Sequence, residues 1–368
     1  MNGSISIKRI AILIGVIFVL APLRGFSDDG LIVIPVAVNK PLKNIVTVAK
    51  ANGKFTDPVA AVASITDASE INPYLVVIAP GVYEVTSPLQ MKQYVDIIGS
   101  GVNVTTITGN ISEGTEAESA IIKGASFSTL SSLFVSNSGG GGVYSIGLYI
   151  SKDVSYMNVN NVNFYAAGGT QTRAIHNEAA VTTIRHVNIK INNSGGKTGI
   201  GIYNINASSD MYDIVSNISY GTNSFGIYNV STSGSMNDVN IRAHDSTNNC
   251  GVYNGSSLKI MMNNVDIYTY YGREGYGVYN SDSFITMTNV STVVDDGSGY
   301  GVYNDDSSPD IRRSTLDGPL DGLFTKGDGI TRVSQSTIIH GAGVDTGGAN
   351  MCVACDNGNS IELGSDCN

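Results

Sequence analysis

Apolar and polar positions alternate in short runs along most of the chain, and clusters of Asn, Gly, Ser and Asp separate the runs. A period of two over about four to six residues predicts short strands. No amphipathic helix of useful length follows residue 70. The runs are themselves repeated. One phrase recurs as Gly201-Ile202-Tyr203-Asn204, Gly226-Ile227-Tyr228-Asn229, Gly251-Val252-Tyr253-Asn254, Gly277-Val278-Tyr279-Asn280 and Gly301-Val302-Tyr303-Asn304, with 25, 25, 26 and 24 residues between the glycines. Ala174-Ile175-His176-Asn177 and Gly147-Leu148-Tyr149-Ile150 continue it upstream, each 27 residues before the next copy. A second phrase keeps the same interval: Asn161-Val162-Asn163-Phe164, His186-Val187-Asn188-Ile189, Asp238-Val239-Asn240-Ile241, Asn264-Val265-Asp266-Ile267 and Asn289-Val290-Ser291-Thr292.

A fixed period of this size is the mark of a solenoid. Each repeat holds at least two strands and has no room for a crossover helix, so each strand must pair with its copies in the coils above and below. The predicted fold is all-β, a single-stranded right-handed parallel β-helix of about 25 residues per coil, with aligned residues ~4.8 Å apart. Alternation puts the Val or Ile of the first phrase inward, the Tyr outward and the Asn inward at the start of a turn. The Asn column (Asn177, Asn204, Asn229, Asn254, Asn280 and Asn304) is predicted to bond along itself and to satisfy the turn backbone. Asn also tolerates the left-handed backbone of a tight corner. The Asn-x-Ser/Thr triplets at Asn206, Asn217, Asn229, Asn254 and Asn289 are read as turn chemistry rather than glycosylation signals.

Both ends depart from the repeat. Lys8 and Arg9 precede an apolar run from Ile10 to Leu23, and Gly25-Phe26-Ser27 offers small residues for cleavage. Residues 1–27 therefore read as a signal peptide, which predicts a secreted, periplasmic or surface location and no membrane span in the mature chain. Asp57-Pro58 is a helix start. A short helix from Val59 to about Thr66, burying Val59, Val62, Ala63 and Ile65, is expected to cap the first coil. Leu75 to Ile78 and Val95 to Ile98 read as the first strands, joined through Pro80-Gly81. The helix body is placed at 28–345, with regular repeats over 145–320, and 346–368 is read as a cysteine-containing tail.

The net charge of −10 falls to about −13 without Lys8, Arg9 and Arg24, which disfavours nucleic acid as a partner. The Tyr column (Tyr203, Tyr228, Tyr253, Tyr279 and Tyr303) has two readings. It is a ring ladder that stabilises the coil, or a stripe on which an extended glycan stacks. Asp282 and Asp306 occupy equivalent positions in adjacent repeats, with Asp310 and Arg312 close by. Carboxylates ~5 Å apart repel unless a cation or water intervenes, so calcium and acid–base chemistry are both conceivable there. Against that stands the ordinary use of Asp in turns. No cofactor motif and no metal-ligand spacing is present; His176, His186, His244 and His340 read as surface or column residues. Cys352-x-x-Cys355 lacks a βαβ setting and a fourth zinc ligand, and in an exported protein a disulfide is expected.

Residues 44–55 (NIVTVAKANGKF), 76–84 (VVIAPGVYE) and 97–110 (IIGSGVNVTTITGN) resemble the opening coils of pectinesterases and of the wider pectin-lyase-like group. The likeness covers roughly residues 44–137. It implies action on pectic polysaccharide, but the QAVAL, QDT, DFIFG and GRPW runs that carry pectinesterase chemistry do not occur. Residues 145–368 are similar to bacterial secreted right-handed β-helix repeat proteins, in which a Cys-Val pair near the end and a last Cys form a staple. That likeness implies a Cys352–Cys367 bridge, with the pairing of Cys250 and Cys355 left open. Uniform repeats, with few insertions to wall a cleft, favour a non-enzymatic protein that binds glycan or another extended partner on its side. The competing expectation is a polysaccharide lyase, esterase or hydrolase acting on an acidic polymer.

Overall fold

The computed structural model describes residues 44–257, 259–345, 347–359 and 361–367, so the signal-peptide segment lies outside the described residues. Among them the chain winds into a parallel β-solenoid of about 11 coils. The described strands form two sheets, of 17 and 11 members, and every strand pairing among them is parallel. The right-handed sense is the one that parallel crossover connections take.

One coil serves for all. Thr198–Ile205 lies in the smaller sheet between Gln171–Glu178 and Asn223–Val230. After a short turn, Ser208–Ser219 runs in the larger sheet. That strand is bent: Asp213 has φ 52°, and the chain continues as strand beyond it. Asn161, His186, Asp238, Asn264 and Asn289 repeat this left-handed residue in neighbouring coils. The bend divides the larger sheet into two faces, so the coil has three sides. It falls on the first residue of the second repeated phrase, where Asn and Asp accept the conformation at least strain.

The core is one apolar column after another: Ile175, Ile202, Ile227, Val252, Val278 and Val302 are fully buried from the smaller sheet. Facing them are Ile189, Ile241, Ile267 and Val265. The glycine ahead of each buried Val or Ile is also inside. A Cβ on Gly251 would lie 2.6 Å from the Gly277 carbonyl oxygen and closer still to the Ile267 Cγ2. The two walls meet there and leave no space for a methyl group.

The Asn column bonds as a chain of amides. Asn177 Nδ2 donates to Asn204 Oδ1 at 3.1 Å, and the pattern continues through Asn229, Asn254 and Asn280 to Asn304 at 2.8–2.9 Å. Asn304 Nδ2 closes the series on Thr331 Oγ1 at 2.8 Å. In the following turn the Ser283 and Ser257 backbone N–H groups donate to Ser307 Oγ and Ser283 Oγ, both at 3.0 Å.

The ends are closed differently from the expectation in three details. The helix is Pro58–Ala63, capped by Asp57 on the Val59 and Ala60 N–H groups. It buries Pro58, Ala61 and Val62, while Val59 is only half-buried, Ala63 is exposed and Ile65 is buried beyond the helix. Tyr74–Ile78 and Val95–Gly99 do pair, but Gly81–Val85 and Leu89–Gln90 lie between them in sequence. At the far end Ala349–Val353 still pairs with Ile330–Ser334, so the sheet runs past residue 345. Cys352 and Cys367 form the expected disulfide, with Cα atoms 5.1 Å apart, and Cys250 and Cys355 are free and buried.

Candidate functional site

The smaller sheet carries its outward side chains in two columns. Gly and Val of the repeated phrase are both buried, so alternation slips by one residue, and the outward positions lie three apart. The Tyr column is therefore outward and half-buried. It is longer than its repeats: Tyr149, His176, Tyr203, Tyr228, Tyr253, Tyr279, Tyr303 and Phe324 are consecutive strand partners. Phe225, Tyr276 and Tyr300 stand beside it and meet it edge-on or tilted at 4.9–5.1 Å.

The rings are piled on one another. Tyr228 and Tyr253 stack at 4.4 Å and 13°, Tyr279 and Tyr303 at 4.9 Å and 25°, and Tyr303 and Phe324 at 5.3 Å and 16°. Ring faces inside such a pile are taken up by neighbouring rings. The column therefore offers solvent its edges and hydroxyls, which revises the picture of flat faces laid out for sugars. Burial pushes the phenols of Tyr228 and Tyr276 up to about 12. They stay protonated at any biological pH and act as hydrogen-bond donors.

At its first coils the column meets a cluster of charge. Glu116, next to the 3-10 turn Ala117–Ser119, reaches Arg173 Nη1 at 2.5 Å. The same Nη1 lies 2.9 Å from His176 Nδ1, and Arg173 Nη2 donates to Gln171 Oε1 at 2.7 Å. The guanidinium sits 4.3 Å from the Tyr203 ring centre, within cation–π range. Tyr149 donates its hydroxyl to Glu178 Oε2 at 2.5 Å, and its ring meets His176 edge-on at 4.9 Å. Arg173 is 5% exposed and His176 2% exposed. Among the described residues the buried Arg173 Nε has no hydrogen-bond partner.

Electrostatics sets what this cluster can do. Burial, reinforced by the adjacent Arg173, lowers His176 to about 3, so the imidazole is neutral at ordinary pH. Burial, with the Glu178 and Glu116 carboxylates, raises the Tyr149 phenol above its usual range. A proton-transfer catalyst near neutral pH needs the opposite adjustments. Sequence reasoning took His176 as an ordinary column residue and did not select Arg173, Glu116, Gln171, Tyr149 or Glu178. A signal did exist: Thr172-Arg173-Ala174-Ile175-His176-Asn177 breaks the Gly-Val-Tyr-Asn pattern where the spacing lengthens to 27.

The acidic candidates lie elsewhere. Asp282 and Asp306 are adjacent left-handed turn residues, with φ 48° and 49°, and Asp306 Oδ1 accepts from the Asp328 N–H at 2.9 Å. Asp310 and Arg312 sit on the larger sheet, where they bond to each other. Among the described residues no three His, Cys, Asp or Glu side chains gather as a metal site. No helix of the described residues is long and apolar enough to cross a membrane.

Comparison with known proteins agrees with this architecture. No curated protein matches the chain. Among solved structures, the A-module of mannuronan C-5 epimerase AlgE6 from Azotobacter vinelandii is similar at 16% identity and TM-score 0.51, over 81% of this chain and 86% of that one. DFA-IIIase from Arthrobacter chlorophenolicus A6 is 12% identical, with TM-score 0.48, over 80% and 87%. Pectin methylesterase PemA from Erwinia chrysanthemi is 14% identical, with TM-score 0.38, over 89% and 92%. At these identities the likeness concerns the fold. The family described as rhamnogalacturonase A/epimerase, pectate lyase-like matches residues 43–279, more than half of the chain. The protein is thus a member of that pectate lyase-like family, whose right-handed β-helix its stacked coils reproduce.

Proposed function

We propose that the protein is an exported, non-enzymatic glycan-binding β-helix, with an extended polysaccharide lying along the aromatic column of its smaller sheet. The observation that carries this is the outward run of Tyr203, Tyr228, Tyr253, Tyr279 and Tyr303, one phenol per coil, which Phe324 extends by one more ring. A surface that repeats every ~4.8 Å suits a ligand that also repeats. From Tyr203 to Tyr303 a polymer of sugars meets a phenol hydroxyl in five successive coils, and a protonated phenol can donate to it. The polysaccharide-related name of the similar mannuronan epimerase fold and the apolar N-terminal run accord with a ligand outside the cell.

A second reading, an enzyme on acidic polysaccharide, draws on Arg173, Glu116, His176, Tyr149 and Glu178, where a cation and possible proton carriers meet. The near-complete burial of Arg173 and His176 and the directions of the His176 and Tyr149 shifts weigh against it. The test joins a glycan array to a product assay on polygalacturonate and alginate. Array binding should weaken about tenfold or more in a Tyr228→Phe, Tyr253→Phe, Tyr279→Phe triple variant, which keeps the ring pile and removes three donors. Undiminished binding by that variant would overturn the column as the site. Release of unsaturated or reducing ends would overturn the non-enzymatic reading.

A further inference from the structure

The larger sheet has its own recess, on the face that follows the bend. Asn240, Asp266 and Ser291 are strand partners in three successive coils, and so are Arg242, Tyr268 and Val293. These six outward side chains line a cleft of about 450 Å³ spanning the three coils. It belongs to a different sheet from the aromatic column. A smaller hollow of about 190 Å³ continues from it across the bend, sharing Asn240 and Asp266 and adding Asp213 and Asp238.

The lining has an unusual balance. Arg242 and Asp266 face one cleft, yet neither forms an ion pair or side-chain hydrogen bond among the described residues. A full donor and a full acceptor are therefore both left for a ligand. Asn240 can donate and accept, and so can the Ser291 hydroxyl. Tyr268 stacks on Tyr270 at 4.7 Å, and Tyr270 in turn stacks on His244 at 4.6 Å, which braces the aromatic wall and leaves one Tyr268 face for the cleft. The Tyr268 hydroxyl leans toward Asp295 at 3.4 Å.

We infer that this cleft is a second saccharide site, distinct from the aromatic column, and that it takes neutral sugar rings. Vicinal hydroxyls each donate and accept, which matches a lining that mixes Asp, Arg, Asn and Ser. An aromatic face beside those groups covers the apolar side of a pyranose. Charge sets the class. Asp266 and Arg242 carry opposite charges in the one cleft and largely cancel there, so neither a uronate carboxylate nor an ammonium group gains net attraction in it. Two strand spacings give ~10 Å along the axis, enough for a short stretch of glycan rather than a single hydroxyl pair.

The test is calorimetric titration of the mature chain with cellohexaose, mannohexaose, maltohexaose and xylohexaose, with galacturonate and glucosamine hexamers as charged comparators. At least one neutral hexamer should bind saturably and more tightly than both charged ones. Asp266→Asn and Tyr268→Ala should each weaken it about tenfold or more. Both residues are exposed, so the coil survives their replacement, and Thr286→Ala on the neighbouring face should leave binding unchanged. The inference fails if no neutral hexamer binds, if a charged hexamer binds more tightly than every neutral one, or if neither cleft variant alters the affinity.

Discussion

Replacing Asn254 by Ala tests the amide chain at its middle. Asn254 is fully buried, accepts from Asn229 Nδ2 at 2.9 Å and donates to Asn280 Oδ1 at 2.9 Å. Truncation strands both neighbours: a donor on Asn229 and an acceptor on Asn280, each out of reach of water. A buried polar group left unpartnered costs about 1–3 kcal/mol, so two put the loss at about 2–6 kcal/mol. That is a large share of the ~5–15 kcal/mol that holds a typical domain folded. Asn177 supplies an internal control, because its Oδ1 has no partner among the described residues to begin with. In Asn177→Ala the Thr182 hydroxyl keeps Ser209, so only the Asn204 acceptor is newly stranded, at about 1–3 kcal/mol. Urea unfolding followed by circular dichroism and tyrosine fluorescence suits a chain with 19 Tyr and no Trp. Asn254→Ala should show the larger drop in midpoint. Equal midpoints for the two variants, or an Asn254→Ala midpoint within error of wild type, would refute the chain as a cooperative unit.

Two further outcomes follow from the buried groups. His176 is held near 3, whereas in the unfolded chain it titrates near 6.5. Between those values the unfolded chain binds a proton that the folded protein excludes, so this residue makes stability fall as pH drops. His176→Tyr restores the usual column residue, and wild type should lose stability relative to it on going from about pH 7.5 to about pH 4. A difference that is the same at both pH values would count against the burial argument. Cys250 is fully enclosed and burial pushes its thiol up, and Cys355 is also buried. Native protein should therefore resist a thiol reagent, and denatured, unreduced protein should release two reactive thiols; rapid labelling of the native state would contradict this.

What could be read from the residues follows from how locally each feature is encoded. Val252, Tyr253 and Asn254 declare inside, outside and inside by alternation, and the structure places them so. The Gly-Val pair was less legible, because two successive buried residues break that alternation, and the outward position of Tyr276 depends on the slip. The bend at Asn264 was hidden for another reason: Lys259–Tyr270 is a single strand by pairing, so its turn leaves no loop in the sequence. The charged cluster joins Glu116 to Arg173 across 57 residues, a distance no local spacing reports. The cleft around Asp266 needs three coils in register before it exists at all.

The amide chain has a direction, every Nδ2 donating toward the next coil, and it begins at an open acceptor on Asn177 and ends on Thr331. Its interior links are therefore interchangeable, while its two ends are not. Duplicating one coil between Asn204 and Asn280 would insert an amide that accepts from below and donates above, with no group left over. The same duplication at Thr331 would need a new terminator. Such a chain can lengthen from its middle by repeat duplication while both closures stay as they are, and each added coil would extend the outward column by one ring.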